Sequence, residues 1–400
     1  MSKNRPNAGV FSRLSLAFLL VIIVFPNSFR ELKLGLLLLV APYWALQGFK
    51  VVPPKFWVWF GLFAVVHILG CIQGYFSSGG GFLPYVLGAY VVAPVVWALA
   101  IGALLSRFDE DEIGRMLMIC FGCVAAQIIL YFLFYDYIPS AVKFALIETP
   151  NRTYIDGAPA LRLHAIVSLI FLWPYALYYK KKSLVSTMIV FLSGLVAAVL
   201  SGRTAILVAG GGCLIGMTLI ERNRRLLAGV VFCLVLVAGF SSLGPIEKDF
   251  SWGNLVMRHA EKTLSGGGDE RVQQSEALWR GFLSSPLIGV GHGVPAGVIR
   301  NDDMPWRYEL IYNATLFRVG IIGFLVSVSL VGAPIVKLGL RCLRGKASTF
   351  QTAVFAGAIA FIIATATNPY VEGFELQWVL LLPIFLTIMK NKKRSGAAAA

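Results

Sequence analysis

Continuous apolar runs of roughly 17–25 residues recur along almost the whole of this chain, and a run of that length crosses a bilayer as helix. Such a chain cannot cover itself in water. Of its 400 residues 58% are hydrophobic and 14% charged, against about a quarter charged in soluble domains. Barrel strands would show as short alternating segments, so the expected fold class is all-α: a polytopic membrane helix bundle. The runs fall at 13–29, 34–50, 56–76, 84–106, 113–135, 161–179, 184–200, 203–221, 226–244, 310–336, 348–367 and 375–390, about twelve transmembrane helices.

Positive charge tests that count, because cytoplasmic gaps collect Lys and Arg. Lys3, Arg5 and Arg13 precede the first run; Lys50 and Lys55 follow the second, and Arg107 and Arg115 the fourth. Lys180, Lys181 and Lys182 follow the sixth, and Arg222, Arg224 and Arg225 the eighth. Lys337, Arg341, Arg344 and Lys346 follow the tenth, and Lys390, Lys392, Lys393 and Arg394 come after the last. Every second gap is basic, which places both termini in the cytoplasm. The chain then divides into spans one to nine (1–244), a large outward loop (245–309), spans ten to twelve (310–394), and an alanine-rich appended tail (395–400). The outward loop is about 65 residues long, far beyond an ordinary connection, and loops of that size are usually functional. A helix-like pattern runs through 269–283, after a Gly-rich stretch at 265–268.

The same rule explains the net charge of +15, and no basic soluble domain exists to bind nucleic acid. Cys71, Cys120, Cys123, Cys213, Cys233 and Cys342 mostly fall inside apolar runs, where they read as small core residues and not as a redox or zinc motif. The first apolar run reads as a retained span, not a cleaved signal. Asp109-Glu110-Asp111-Glu112 reads as a solvated helix start on the cytoplasmic side. Asn151 and Asn313 match a glycosylation pattern that is common by chance. No carboxylate cluster with metal spacing lies on the outward face, so neither metal nor cofactor is expected.

The informative charges are the arginines on the outward side or within a span, where positive charge is not favoured. Arg203 lies in the tight turn Ser201-Gly202-Arg203-Thr204. Arg271 and Arg280 lie on neighbouring faces of the loop helix, and Arg318 lies inside the tenth run. A guanidinium keeps its charge and clamps phosphate oxygens bidentately, which fits a lipid-linked diphosphate. Anchoring to lipid headgroups is the other use of such side chains. Glu372 and Glu375, between the last two spans, are candidates to line the same outward cavity.

Several segments carry a family resemblance. Ser201-Gly202-Arg203-Thr204, then Arg271 with Leu278-Trp279, and Ser285-Pro286-Leu287-Ile288-Gly289-Val290-Gly291 resemble the signatures of the bacterial O-antigen ligase and polymerase superfamily. Tyr312-Asn313-Ala314-Thr315-Leu316 followed by Gly320-Ile321-Ile322-Gly323 is similar to its next motif. The resemblance implies a GT-C-like bundle in the bacterial inner membrane with a large periplasmic loop. It implies a metal-independent inverting glycosyltransferase that uses an undecaprenyl-diphosphate-linked glycan as donor. A glycan or lipid acceptor, membrane lipid and a chain-length regulator are the implied partners. Arg203, Arg271, Arg280 and Arg318 become the candidate diphosphate-binding residues. The ligases carry a histidine where this chain has Tyr312, which favours a polymerase over a ligase. Glu309, then His292, are the candidate bases beside Tyr312 at the family's catalytic position. The rival from another class is a polysaccharide flippase or transporter; those are often two matched halves, and here the largest loop comes late.

Overall fold

The computed structural model describes residues 9–146, 153–155, 158–160, 163–180, 183–201, 203–221, 269–299 and 302–389. The expected span at 226–244, the 265–268 stretch and the alanine tail lie outside the described residues. Apart from one short hairpin, β1 (Thr153–Ile155) with β2 (Ala158–Ala160), the described architecture is helical. In order the helices are α1 (Val10–Val24), α2 (Arg30–Val51), α3 (Pro54–Ser78) and α4 (Leu83–Leu87). A π-helical turn (Gly88–Val92) joins α4 to α5 (Ala93–Arg107). Then come α6 (Glu110–Leu133), α7 (Ser140–Leu146), α8 (Ile166–Tyr178), α9 (Leu184–Leu200) and α10 (Thr204–Glu221). The last four are α11 (Asp269–Ser284), α12 (Ile311–Leu343), α13 (Thr349–Thr365) and α14 (Trp378–Ile388).

The α2, α3, joined α4–α5, α6 and α12 units are long and apolar enough to cross a membrane, and α1, α8, α9, α13 and α14 are shorter apolar helices. The class is therefore a multi-pass helical membrane protein. Local chemistry sets the ends. Asp109 and Glu112 form a capping box at the start of α6, each side chain bonding the other's backbone N–H. Pro54 starts α3, and Gly79, in the left-handed region, ends it. Every residue of α8 is buried, as expected of a helix apolar all round, and it packs on α13 at the centre. Small residues make that packing close: Gly357 of α13 lies against Phe171, and Gly194 and Gly210 lie against the Trp173 ring.

Many polar contacts between helices lie at the two ends of the bundle. At one end Glu110 accepts from Ser348 and Gln351, Asp111 pairs with Lys180, and Arg107 donates to Gln47. Glu110 is thus tied to the start of α13 and not merely solvated. At the other end the 368–377 link between α13 and α14 meets the α1–α2 turn, α5 and the start of α10. These pairings require alternate gaps to share an end, which is the alternation the Lys and Arg pattern predicts.

One helix is broken. Gly320 in α12 has φ 63° and ψ −171°, so the helix stops and restarts there. A break of this kind strands backbone groups, which are expensive to leave unpaired in an apolar layer. The 285–291 segment takes up four of them. Phe317 and Arg318 carbonyls accept from the N–H groups of Val290 (2.8 Å) and Gly291 (3.0 Å). Ile321 and Ile322 N–H groups donate to the carbonyls of Pro286 (2.9 Å) and Leu287 (3.2 Å). The same segment rests on Gly70 and Gly74 of α3; His292 N–H donates to the Gly70 carbonyl at 2.9 Å, and a Cβ on Gly74 would overlap the His292 carbonyl.

Gly320 has no tolerable replacement in this arrangement, because its φ disfavours any side chain and a Cβ would strike the Leu287 backbone. Gly320→Ala is expected to cost more than ~1 kcal/mol, seen as a lower melting temperature in detergent. Gly332→Ala, at a helical position with only Val328 nearby at 3.6 Å, is the control expected to be neutral or slightly stabilising.

Candidate functional site

The break in α12 positions a buried charge. Arg318, two residues before Gly320, is 3% exposed. Its Nη1 lies 2.5 Å from Glu372 Oε1 and 3.3 Å from the Tyr90 hydroxyl, and its Nη2 donates to the Trp306 carbonyl at 2.9 Å. Glu372 comes from the 368–377 link and is 4% exposed. Tyr90 and Tyr85 hydroxyls donate to its two oxygens at 2.6 and 3.0 Å. Tyr90 sits in the π-helical turn, a distortion that often marks functional positions, and Gln377 donates to the adjacent Ala89 carbonyl at 2.6 Å. Burial alone would push the Glu372 carboxyl up. The Arg318 charge, with hydrogen bonds from Tyr90, Arg318 and Tyr85, outweighs it and holds the carboxyl below its ordinary value.

Beside this pair lie two histidines. His67 of α3 stacks on the Tyr90 ring with centroids 4.0 Å apart, and its Nδ1 lies 2.9 Å from His292 Nε2. The other nitrogen, Nε2, lies 3.2 Å from Ser327 Oγ. The Ser327 hydroxyl donates to the Gly323 carbonyl at 2.8 Å, so towards His67 it can only accept. That assigns the tautomers: His67 carries its proton on Nε2, and His292 donates from Nε2 to the bare His67 Nδ1. His292 Nδ1 is then unprotonated, and it is buried without a hydrogen-bond partner among the described residues. Burial, with smaller contributions from His67 and Arg318, pushes the His292 imidazole well below its ordinary value. His292 is thus no surface residue, although it belongs to the loop.

The other sequence candidates sit around α11. Arg271 Nε donates to Glu309 Oε2 at 2.7 Å, and the Glu309 N–H donates to Gln274 Oε1 at 3.3 Å. Asn313 donates to Ser275 at 3.0 Å, and Leu278 packs with Tyr308, Ala314 and Phe317. One face of α11 is therefore fixed along the first turns of α12. Tyr312 donates to the Ile362 carbonyl at 2.7 Å, so its hydroxyl holds α12 to α13. Arg203 donates to the Tyr370 hydroxyl at 3.2 Å. Arg280 is exposed on α11. Glu375 accepts from Lys33 and the Asn27 N–H, apart from Glu372.

Arg203, Arg318 and Arg271 each bind a different partner, and contacts link them in sequence. Arg203 reaches Tyr370, the same link carries Glu372 to Arg318, Arg318 reaches Trp306, and the chain continues to Glu309 and Arg271. Among the described residues no three His, Cys, Asp or Glu side chains gather as metal ligands would. Sequence reasoning passed over His67, Tyr90 and Ser327. A histidine within an apolar run is a signal in its own right, since ionisable groups there are costly. No protein-family model and no curated protein matches this chain.

Both lowered groups bind fewer protons folded than unfolded. Their contribution is complete above the unfolded values, about 6.5 for His and 4.3 for Glu, and is lost as pH falls below them. Between pH 7 and pH 5 the His292 contribution exceeds that of Glu372. The melting temperature in detergent is expected to fall over that interval. His292→Gln, which keeps a donor towards His67 but does not titrate, should lessen the fall.

Proposed function

We propose that this protein is an inner-membrane glycosyltransferase that polymerises undecaprenyl-diphosphate-linked oligosaccharide repeat units at the periplasmic face. In that reading about twelve spans place both termini in the cytoplasm and the 245–309 loop outside. The observation that carries it is the linked row of arginines at one end of the bundle. Arg203 and Arg271 are its part-exposed members, with the Arg271 side chain 30% exposed. Both lie in segments that resemble the ligase and polymerase superfamily.

The reaction is a displacement. An acceptor hydroxyl attacks the anomeric carbon, the bond from that carbon to the diphosphate oxygen breaks, and the diphosphate leaves with the electron pair. Arg203 and Arg271 stabilise the charge that develops on it, a fixed electrostatic role. The hydroxyl proton passes to a carboxylate or imidazole. Glu309 lies beside Arg271 and so beside the leaving group, whereas His292 offers an unprotonated nitrogen from a buried position. Arg318 differs from the other two, because a diphosphate at its guanidinium would have to displace Glu372. It supports the frame that carries the site. The ligase alternative, transfer of the glycan to lipid A-core, uses the same chemistry with another acceptor.

A transporter or flippase is the second reading, and one observation favours it. Broken helices and buried ionisable groups at membrane depth are hallmarks of secondary transporters. Substitution separates the two. Arg203→Lys and Arg271→Lys keep the charge but lose the bidentate fork. Each is expected to slow polymerisation at least ~10-fold, the effect of about 1.4 kcal/mol at the transition state, and so to shorten the surface polysaccharide. Lipid-linked single repeats should still reach the outer face. Wild-type chain lengths in both variants would remove the diphosphate role, and repeats retained inside the cell would favour transport.

A further inference from the structure

α11 carries a second face that the contacts with α12 leave uncovered. Trp279 and Leu283 of the helix, and Leu287 and Ile288 of the turn that follows, are each at least half exposed. In a soluble loop four large apolar side chains on one face would be a liability. Their depth gives them a different meaning. Arg271 meets Glu309, Ser275 meets Asn313, and Gly281 lies against Phe317, so α11 runs parallel to the first turns of α12 and towards the break at Gly320. At the bottom, Pro286 and Leu287 carbonyls accept from Ile321 and Ile322. The part of α12 between the break and Lys337 is, at ~1.5 Å per residue, roughly 24 Å long, short of a ~30 Å hydrocarbon core. The turn therefore lies a little below the level where the hydrocarbon begins. Ile322 and Leu325, on the crossing part, are also at least half exposed, and Leu287 is bonded to the first of them. The uncovered face of α11 is continuous with the lipid-facing side of α12.

We propose that α11 and the 285–288 turn form a re-entrant element whose uncovered face lies against the acyl chains of one leaflet. Trp279 sits at the interfacial level, where indole rings concentrate, and Leu283, Leu287 and Ile288 reach below it. Arg280, exposed beside Trp279, extends to a headgroup phosphate by snorkelling. The pairing of four stranded backbone groups at the Gly320 break agrees with a position where water is scarce. This assignment is independent of the catalytic reading, because it concerns where the loop lies and not what it does.

The test is nitroxide accessibility in phosphatidylethanolamine–phosphatidylglycerol vesicles. Leu287→Cys and Leu283→Cys, each in a background with the native cysteines replaced, are labelled and compared with Leu325→Cys and Asp302→Cys. Leu325 is the lipid-facing reference, and Asp302 the exposed loop reference. Labels at 287 and 283 are expected to relax with oxygen and resist a water-soluble nickel chelate, as the label at 325 does. If the chelate reaches them as readily as 302, the face is in water and the proposal fails. If neither reagent reaches them, another part of this chain or a second copy covers the face, and the proposal fails equally.

Discussion

A guanidinium inside an apolar bundle cannot be shed by deprotonation and must be neutralised where it lies. Arg318 meets that requirement through Glu372, and the consequences spread through one end of the molecule. Glu372 takes further donors from Tyr90, in the π-helical turn, and Tyr85, in α4 just before it. Arg318 precedes a break in α12, so its own carbonyl is one of those that the 285–291 segment satisfies. That segment in turn seats His292 against α3, next to His67. The ion pair, the broken helix and the inserted loop are therefore in direct contact as one construction.

The 368–377 link shows the same economy. Within ten residues it accepts from or donates to the α1–α2 turn, α2, the π-helical turn, α5, the start of α10 and α12. A short connection between two apolar helices thereby fixes the relative positions of elements far apart in sequence. Of the part-exposed arginines, Arg203 is held directly by this link, through Tyr370. Rigid support of that kind is what the proposed stabilisation of a leaving diphosphate would require, because catalytic dipoles act best when they need not reorganise.

Much of this was legible in the residues because the signals are local. Hydropathy located α2, α3, the α4–α5 unit and α6 within a few residues, and the amphipathic pattern from Asp269 located α11, which runs to Ser284. Asp109 and Glu112 announced a helix start and form its capping box. α12 runs on to Leu343, beyond the expected 336, because its last turns lie past the apolar stretch. The pairings were not legible. Glu372 and Glu375, candidates for one outward cavity, belong to separate ion pairs that the sequence does not foretell. Arg318 and Glu372 are distant in sequence, as are His67 and His292, and nothing in either neighbourhood specifies its partner. Gly320 stood out as the first residue of the motif Gly320-Ile321-Ile322-Gly323, but nothing in the sequence shows that its φ interrupts the helix.

If the ion pair is the keystone, Arg318 and Glu372 must be energetically coupled. A double-mutant cycle on thermal unfolding in detergent measures this, using Arg318→Met, Glu372→Leu and the pair together. Each single substitution leaves a buried charge without its partner and is expected to cost ~3–5 kcal/mol. The double variant, with both charges gone, should be no less stable than either single one. Additive losses in the double variant would show that the two side chains act independently, and would contradict the dependence of the loop and the broken helix on this contact.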